Sequence, residues 1–181
     1  MNNKTDEELA IAVQDQRTDL FEVLVLRYEK KLLRYGRKFL FDHEKVREAT
    51  QEVFIKAFVN LKSFDPGQKF SSWIYRIAHN EFINIIKKEK HEPFSLFEPD
   101  IIFSLSAPDD VLGEAEKKEE GQEVRRYLEK LPAKYREPVV LYYFEEKDYR
   151  EISDIMNIPI STVGVRLKRA RVKIKKYYEK Q

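Results

Sequence analysis

Residues 148–178 read DYREISDIMNIPISTVGVRLKRARVKIKKYY, and this stretch constrains the fold more than any other part of the chain. A short amphipathic helix over 148–156 meets a turn at Asn157, Ile158 and Pro159. A longer and very basic helix then runs over 161–178. Two helices joined by a tight turn, the second of them cationic, predict a helix-turn-helix that lays its second helix in DNA.

A helical wheel at about 100° per residue divides that second helix into two faces. Val163, Leu167, Ala170, Ile174 and Tyr177 share a narrow arc that packs inward. Lys168, Arg169, Arg171, Lys175 and Lys176 occupy the broad opposite arc, and Val165 and Val172 point outward among them. A small apolar group on a DNA-facing surface can touch a thymine methyl, while Arg or Lys reads guanine or grips phosphate. The plain alternative is a solvated basic helix; the preceding helix and turn weigh against it. Gly164 departs from the pattern, because glycine inside a helix costs about 1 kcal/mol relative to alanine. It marks either a close backbone approach to DNA or a late helix start.

The net charge of +2 conceals a polarised chain. Residues 161–181 hold eight bases against one acid, and residues 92–123 hold ten acids against two bases. Only 5 Gly and 7 Pro in 181 residues, with abundant Lys, Glu, Leu and Arg, predict an all-α protein. The absence of cysteine excludes disulfides and thiol-rich zinc sites and fits a reducing cytoplasm. No apolar run approaches the roughly 18–20 residues that span a bilayer, so no direct membrane insertion is expected. The polar, acidic start MNNKTDEEL predicts no signal peptide.

Thr5 and Glu8 form a capping box for a first helix over 6–14. A second helix is expected over 19–40, with Phe21, Leu24, Leu32 and Phe39 among its apolar positions. Asp42 can cap a third that extends to Leu61. Pro66-Gly67 is a turn signal, and Ser71 or Ser72 can cap a fourth helix ending near Lys90. Beyond it, Pro93, Pro99 and Pro108 fall in an acidic, aperiodic stretch that still carries Phe94, Phe97, Ile101, Ile102 and Phe103. This reads as a linker over 92–115, joining a helical domain over 1–91 to another over 116–181. Helices resume over 111–131, 132–144 and then the pair already described.

Two further helical faces carry function. On the fourth helix Trp73, Arg76, Asn80, Asn84 and Lys87 form one stripe. A ring, two amides and two cations in a row suit stacking on bases, bonding base edges and holding phosphates of single-stranded DNA. The plain reading makes Trp73 a core residue and the asparagines solvated positions. On the third helix Val46, Val53, Phe54, Ala57, Phe58 and Leu61 form the buried arc, and Glu48, Glu52, Ile55 and Val59 form a stripe on the far side. Acids beside exposed Ile and Val suit a protein interface. Catalysis finds no support: His43, His79 and His91 lack metal-ligand spacing, and there is no phosphate loop or nucleophile motif. No enzyme activity, cofactor, metal or small-molecule substrate is expected.

Three segments together resemble the bacterial extracytoplasmic-function sigma factors, the small two-domain branch of the sigma family: EATQEVFIKAFVNLKSFD at 48–65, KFSSWIYRIAHNEFINIIKK at 69–88, and LPAKYREPVVLYYFEEKDYREISDIMNIPISTVGVRLKRAR at 131–171. The resemblance covers nearly the whole chain apart from the linker. It implies an alternative sigma factor that binds core RNA polymerase and directs promoter-specific transcription initiation in the cytoplasm. Gln51 and the stripe Glu48, Glu52, Ile55 and Val59 would bind the polymerase clamp. Phe64, Lys69 and Phe70 in the loop, with Ser72, Trp73, Arg76, Asn80, Asn84 and Lys87 on the helix, would read the minus-ten element as melted strand. Ser161, Thr162, Val165, Lys168, Arg169, Arg171 and Val172 would read the minus-35 element as duplex, in a domain that also touches the polymerase flap. An anti-sigma factor is a further implied partner, and the linker would thread the RNA exit path; the ten acids of residues 92–123 suit an RNA mimic there, while the linker's Phe and Ile residues equally suit a tether that folds back on the domains. The sequence departs from the family pattern at Glu48, Ser161 and Gly164, so specificity there is not transferable. The competing reading is a stand-alone helix-turn-helix regulator with a helical sensing or dimerisation domain, which predicts tight binding to a palindromic duplex without polymerase. An adaptor with an incidental basic helix is a third.

Overall fold

The computed structural model of the chain describes residues 4–90 and 120–179. The linker over 92–115, the start of the helix expected at 111 and the RNA-mimicry reading fall outside the described residues. All regular structure among the described residues is helical, in eight α-helices with short tighter or wider turns between some of them. They fall into two compact units, one carrying α1 to α4 and the other α5, α6, most of α7 and α8.

In the first unit, α1 (Asp6–Gln14) starts as expected. The Thr5 hydroxyl accepts from the Glu8 N–H at 3.2 Å, and the Glu8 carboxylate accepts from the Thr5 N–H at 2.8 Å. The helix expected over 19–40 divides into a 3₁₀ turn, Thr18–Leu20, and α2, Phe21–Phe39. On α2, Phe21, Leu24, Tyr28, Leu32, Tyr35 and Phe39 recur every three or four residues and are buried. Asp42 caps α3 (His43–Asn60) by accepting from the N–H groups of Glu44 and Lys45, both at 3.1 Å. A 3₁₀ turn, Leu61–Ser63, follows.

The fourth helix corrects an expectation. It begins at Phe70 and runs to Lys90 as α4, so Ser71 and Ser72 lie inside it. The carboxylate of Glu7, on α1, accepts the Phe70 N–H at 2.9 Å and satisfies a donor that the helix itself cannot. A second correction concerns α3: Phe58 was expected in its buried arc but is 45% exposed, with its ring edge-on to Phe21 at 5.1 Å.

Helices α2, α3 and α4 pack against one another around Tyr35, Val46, Tyr75 and Phe82. Tyr35 meets Tyr75 at 5.5 Å and Phe82 at 5.1 Å between ring centroids. Buried side chains of this size each contribute about 1.5–3 kcal/mol. Gly36 allows the close approach, since a Cβ there would lie 2.7 Å from Val46 Cγ1. Helix α1 is tied to α2 by Asp6, whose carboxylate accepts from Arg27 at 2.6 Å and from the Tyr28 hydroxyl. Burial first, and then that hydrogen bond to Asp6, push the Tyr28 phenol well above its ordinary pKa.

In the second unit, α5 (Glu120–Lys130) precedes α6 (Ala133–Val139). The single helix expected over 132–144 changes character: residues Val140–Phe144 widen into a π turn. Pro138, just upstream, has no N–H to give to the ladder. Helix α7 (Tyr149–Met156) is capped by Asp148, which accepts the Glu151 N–H at 2.8 Å, while Glu151 accepts the Asp148 N–H at 3.0 Å. Asn157 stops α7 in the left-handed region, φ 51°, which asparagine tolerates better than most residues. The Ser153 hydroxyl donates to the Ile158 carbonyl at 2.6 Å and fastens the turn. Pro159 leads into α8, Ile160–Tyr178.

Candidate functional site

Three surfaces hold the residues singled out from the sequence. The first is the loop between α3 and α4 with the outer face of α4. Asp65, Pro66, Gly67, Gln68 and Lys69 are exposed, between the buried rings of Phe64 and Phe70. The two rings meet edge-on at 5.5 Å. The loop is shaped from within: the Asp65 carboxylate accepts the Gly67 N–H at 2.9 Å, and the Asp65 carbonyl accepts the Gln68 N–H at 3.0 Å. Trp73 is half-buried against Phe64 at 5.4 Å and Phe70 at 5.5 Å, so it is both core and surface. Asn80, Asn84 and Lys87 are exposed and Arg76 is half-buried along the same stripe.

Three sequence-predicted contacts lie buried beneath this surface. Phe64 (3% exposed), Phe70 (0%) and Ser72 (7%) present almost no surface in the free chain. The rings of Phe64 and Phe70 pack against Trp73 and each other, and Phe70 also against Tyr28, so they form the base on which the loop stands. The sequence signal for this was available: Phe70 precedes Ile74 by four positions, on the inward face of α4.

The second surface is the far side of α3. Glu48, Gln51, Glu52, Ile55 and Val59 are all exposed, Ile55 by 58% and Val59 by 70%. Phe58 joins these two as an exposed apolar residue that the sequence reading had placed inside. Glu48 and Glu52 also line a groove between α3 and α4, with Ala49 and Ile85 among its walls. Lys56 of α3 lies 2.7 Å from Glu81 of α4 and 3.6 Å from Glu52. The hydrogen bond that the Lys56 ammonium donates to the Glu81 carboxylate holds it above its usual pKa. Large exposed aliphatic side chains rimmed by charge are the composition of a docking face.

The third surface is α8. Val163, Leu167, Ala170 and Ile174 are buried, as the wheel required, and Tyr177 is half-buried with its hydroxyl donating to the Lys130 carbonyl at 3.3 Å. Ser161 is exposed, and Thr162, Val165, Lys168, Arg169, Arg171 and Val172 are half-buried. Arg171 leans on α7, its guanidinium donating to the Tyr149 hydroxyl at 3.5 Å. Arg166, which the sequence reading did not single out, is 2% exposed and belongs to the interior with Glu137. It stands about 60° from Val163 on the wheel, at the edge of the buried arc. Gly164 lies well inside α8, which rules out a late helix start. A Cβ there would meet Tyr149 Cε2 at 3.6 Å, an ordinary contact, so packing does not demand glycine.

Among the described residues there is no cluster of acids and histidines that could hold a metal ion, and no helix long and apolar enough to cross a membrane.

Comparison with known proteins identifies the arrangement. Residues 24–92 match the family model for sigma-70 region 2, and residues 121–174 match that for sigma-70 region 4. The ECF RNA polymerase sigma factor SigW of Bacillus subtilis is 35% identical over 165 residues, 87% of this chain and 88% of that protein. The ECF RNA polymerase sigma-E factor of Escherichia coli K12 is 32% identical over 177 residues, 92% of this chain and 91% of that protein. The solved structure of the sigma factor RpoE of Bartonella quintana, in complex with the anti-sigma factor NepR, shares the fold with a TM-score of 0.67 at 23% identity, over 88% of this chain and 96% of that one. Two family models in the expected order, and relatives above 30% identity along most of the chain, lead to one conclusion: the protein belongs to the extracytoplasmic-function sigma factors, an alternative sigma factor of transcription initiation and not an enzyme.

Proposed function

We propose that this sigma factor divides its work among the three surfaces just described. Helix α3 docks on the clamp of core RNA polymerase through Glu48, Gln51, Glu52, Ile55 and Val59. The loop at 65–69 and the α4 stripe, Trp73, Arg76, Asn80, Asn84 and Lys87, take the minus-ten element as melted strand. Helix α8 takes the minus-35 element in duplex major groove through Ser161, Thr162, Val165, Lys168, Arg169, Arg171 and Val172, and its domain meets the polymerase flap. The domain limits are 1–91 and 116–181, with 92–115 between them. An anti-sigma factor that covers these surfaces is the natural inhibitor, and the cytoplasm is the natural location.

The observation that carries this reading is the separation of two unlike polar faces. The α4 stripe offers amides and a half-exposed indole beside a shaped loop, whereas α8 offers cations around two outward valines. Stacking and hydrogen bonding to single-stranded bases contribute about 1–3 kcal/mol per base, so even a few captured bases stabilise an opened duplex. Duplex reading needs cations and small apolar groups instead.

The test uses reconstituted holoenzyme and two probes, a double-stranded fragment with the minus-35 element and a single-stranded minus-ten oligonucleotide. Asn80→Ala and Asn84→Ala should weaken the single-stranded probe and spare the duplex. Lys168→Ala should do the opposite. The reverse assignment would sink the division of labour.

A further inference from the structure

Helix α1 lies outside every surface named above, yet it holds both ends of the loop between α3 and α4. The Gln14 side-chain amide donates to the Leu61 carbonyl at 2.8 Å and to the Phe64 carbonyl at 2.9 Å, where the chain leaves α3. The Glu7 carboxylate accepts the Phe70 N–H at 2.9 Å, where the chain enters α4. These partners are 47, 50 and 63 residues away in sequence. Seven residues of helix turn through about 700°, so Glu7 and Gln14 share one face, about 10 Å apart along the axis. That single face therefore spans the mouth of the loop.

Neither bond is incidental to the local chemistry. The 3₁₀ turn Leu61–Ser63 ends α3, where the Leu61 carbonyl takes the Phe64 N–H at 2.9 Å and keeps a second lone pair for Gln14, the Phe64 carbonyl lies past the turn, and the first N–H of α4 has no helical acceptor. Gln14 and Glu7 supply what both ends lack. Helix α1 is itself fixed: Asp6 takes hydrogen bonds from Arg27 and Tyr28 of α2, and Arg27 also donates to the Lys4 carbonyl at 3.0 Å. Leu9, Ala10 and Val13 bury its inner face. The loop is thus set between a shaped turn at its tip and a rigid two-point clasp at its base.

We propose that Glu7 and Gln14 are positioning residues for base selection: α1 fixes the separation of the loop ends, and through it the geometry of the surface that receives the minus-ten base. This rests on the reading of residues 65–69 as part of the melted-strand site. The effect acts through the loop, since neither side chain need touch DNA.

The experiment measures binding of the reconstituted holoenzyme to two single-stranded oligonucleotides, the minus-ten element and the same strand with its loop-proximal base exchanged. Gln14→Met keeps the side-chain length and removes both donations. Glu7→Met removes the acceptor, and Glu7→Gln restores it. Gln14→Met and Glu7→Met should lower the ratio of the two affinities by roughly tenfold, the factor that about 1.4 kcal/mol represents. Glu7→Gln should recover most of it, and affinity for core polymerase should stay unchanged in all three. Equal losses for core polymerase and both strands would show a merely structural role and overturn the proposal. An unchanged ratio while Asn80→Ala loses binding would overturn it too, leaving the melted-strand reading intact. If Asn80→Ala also binds normally, both the proposal and that reading fail. Should Gln14→Met not fold, the Glu7→Met and Glu7→Gln pair decides alone.

Discussion

Replacing Gly36 with alanine should destabilise the first unit, although alanine is the better helix former. The new Cβ would lie 2.7 Å from Val46 Cγ1, 3.0 Å from Phe82 Cζ and 3.2 Å from Val46 Cγ2. Apolar carbons rest at about 3.5–4.0 Å, so the shortest pair falls short by about 1 Å. Val46 and Phe82 are both 0% exposed and have no open space to retreat into. Val46 is β-branched and stiff at χ1, so relief requires α2 and α3 to separate. Overpacking of this kind costs about 1–3 kcal/mol, and the better helix propensity of alanine returns about 1 kcal/mol. The net loss is therefore about 1 kcal/mol, with an upper end near 2, and each kcal/mol moves the melting point of a domain this size by about 4–8 °C. Trp73 is the chain's one tryptophan and sits against Phe64 and Phe70, so its fluorescence in urea follows this unit alone. Gly164→Ala is the counterpart. Its Cβ meets Tyr149 at an ordinary 3.6 Å, so only the propensity gain of about 1 kcal/mol remains, in the other unit. A Trp73 midpoint that is unchanged or raised by Gly36→Ala would refute the packing argument.

Other outcomes follow from the same geometry. Tyr28 has its folded-state pKa raised, by burial first and by Asp6 second, so its contribution is full below about pH 10 and is lost as pH rises further. Tyr28→Phe should cost about 1–2 kcal/mol at neutral pH, and the gap to wild type, read from Trp73 in urea, should narrow above about pH 10; a constant gap would contradict the assignment. Ile55→Ala and Val59→Ala should each weaken binding to core polymerase by about 1 kcal/mol, measured by titrating labelled core, with no change in duplex binding. Lys168→Ala should reduce the slope of log affinity against log salt for the minus-35 duplex by about 0.9, the value for one lost phosphate contact. A slope that stays put would take Lys168 off the phosphate backbone.

Much of the architecture was legible because helices announce themselves locally. Thr5 with Glu8, Asp42 and Asp148 are caps whose partners lie two or three residues away. The inward arc of α8 followed from periodicity alone. What escaped the sequence depends on partners far along the chain. Glu7 caps α4 from 63 residues away, so the expectation of a serine cap had no means of finding it. Gly36 looks like any helical glycine until α3 and α4 arrive against it. Arg166 reads as one more cation, and only the surrounding unit shows that it is enclosed. Phe58 belongs to the buried arc by spacing, but the core ends before it on that side. Phe64 and Phe70 are buried at the two ends of the loop, which the sequence alone does not show, because aromatic rings beside a basic residue suit both a core and a stacking site.

The most direct test adds the protein to sigma-free core polymerase with a genomic promoter library and maps the transcript starts. The account predicts protein-dependent starts that share two upstream elements, with the downstream element losing definition in Asn80→Ala and the upstream one in Lys168→Ala. Starts that do not depend on the protein, or that share a single palindromic site, would contradict it.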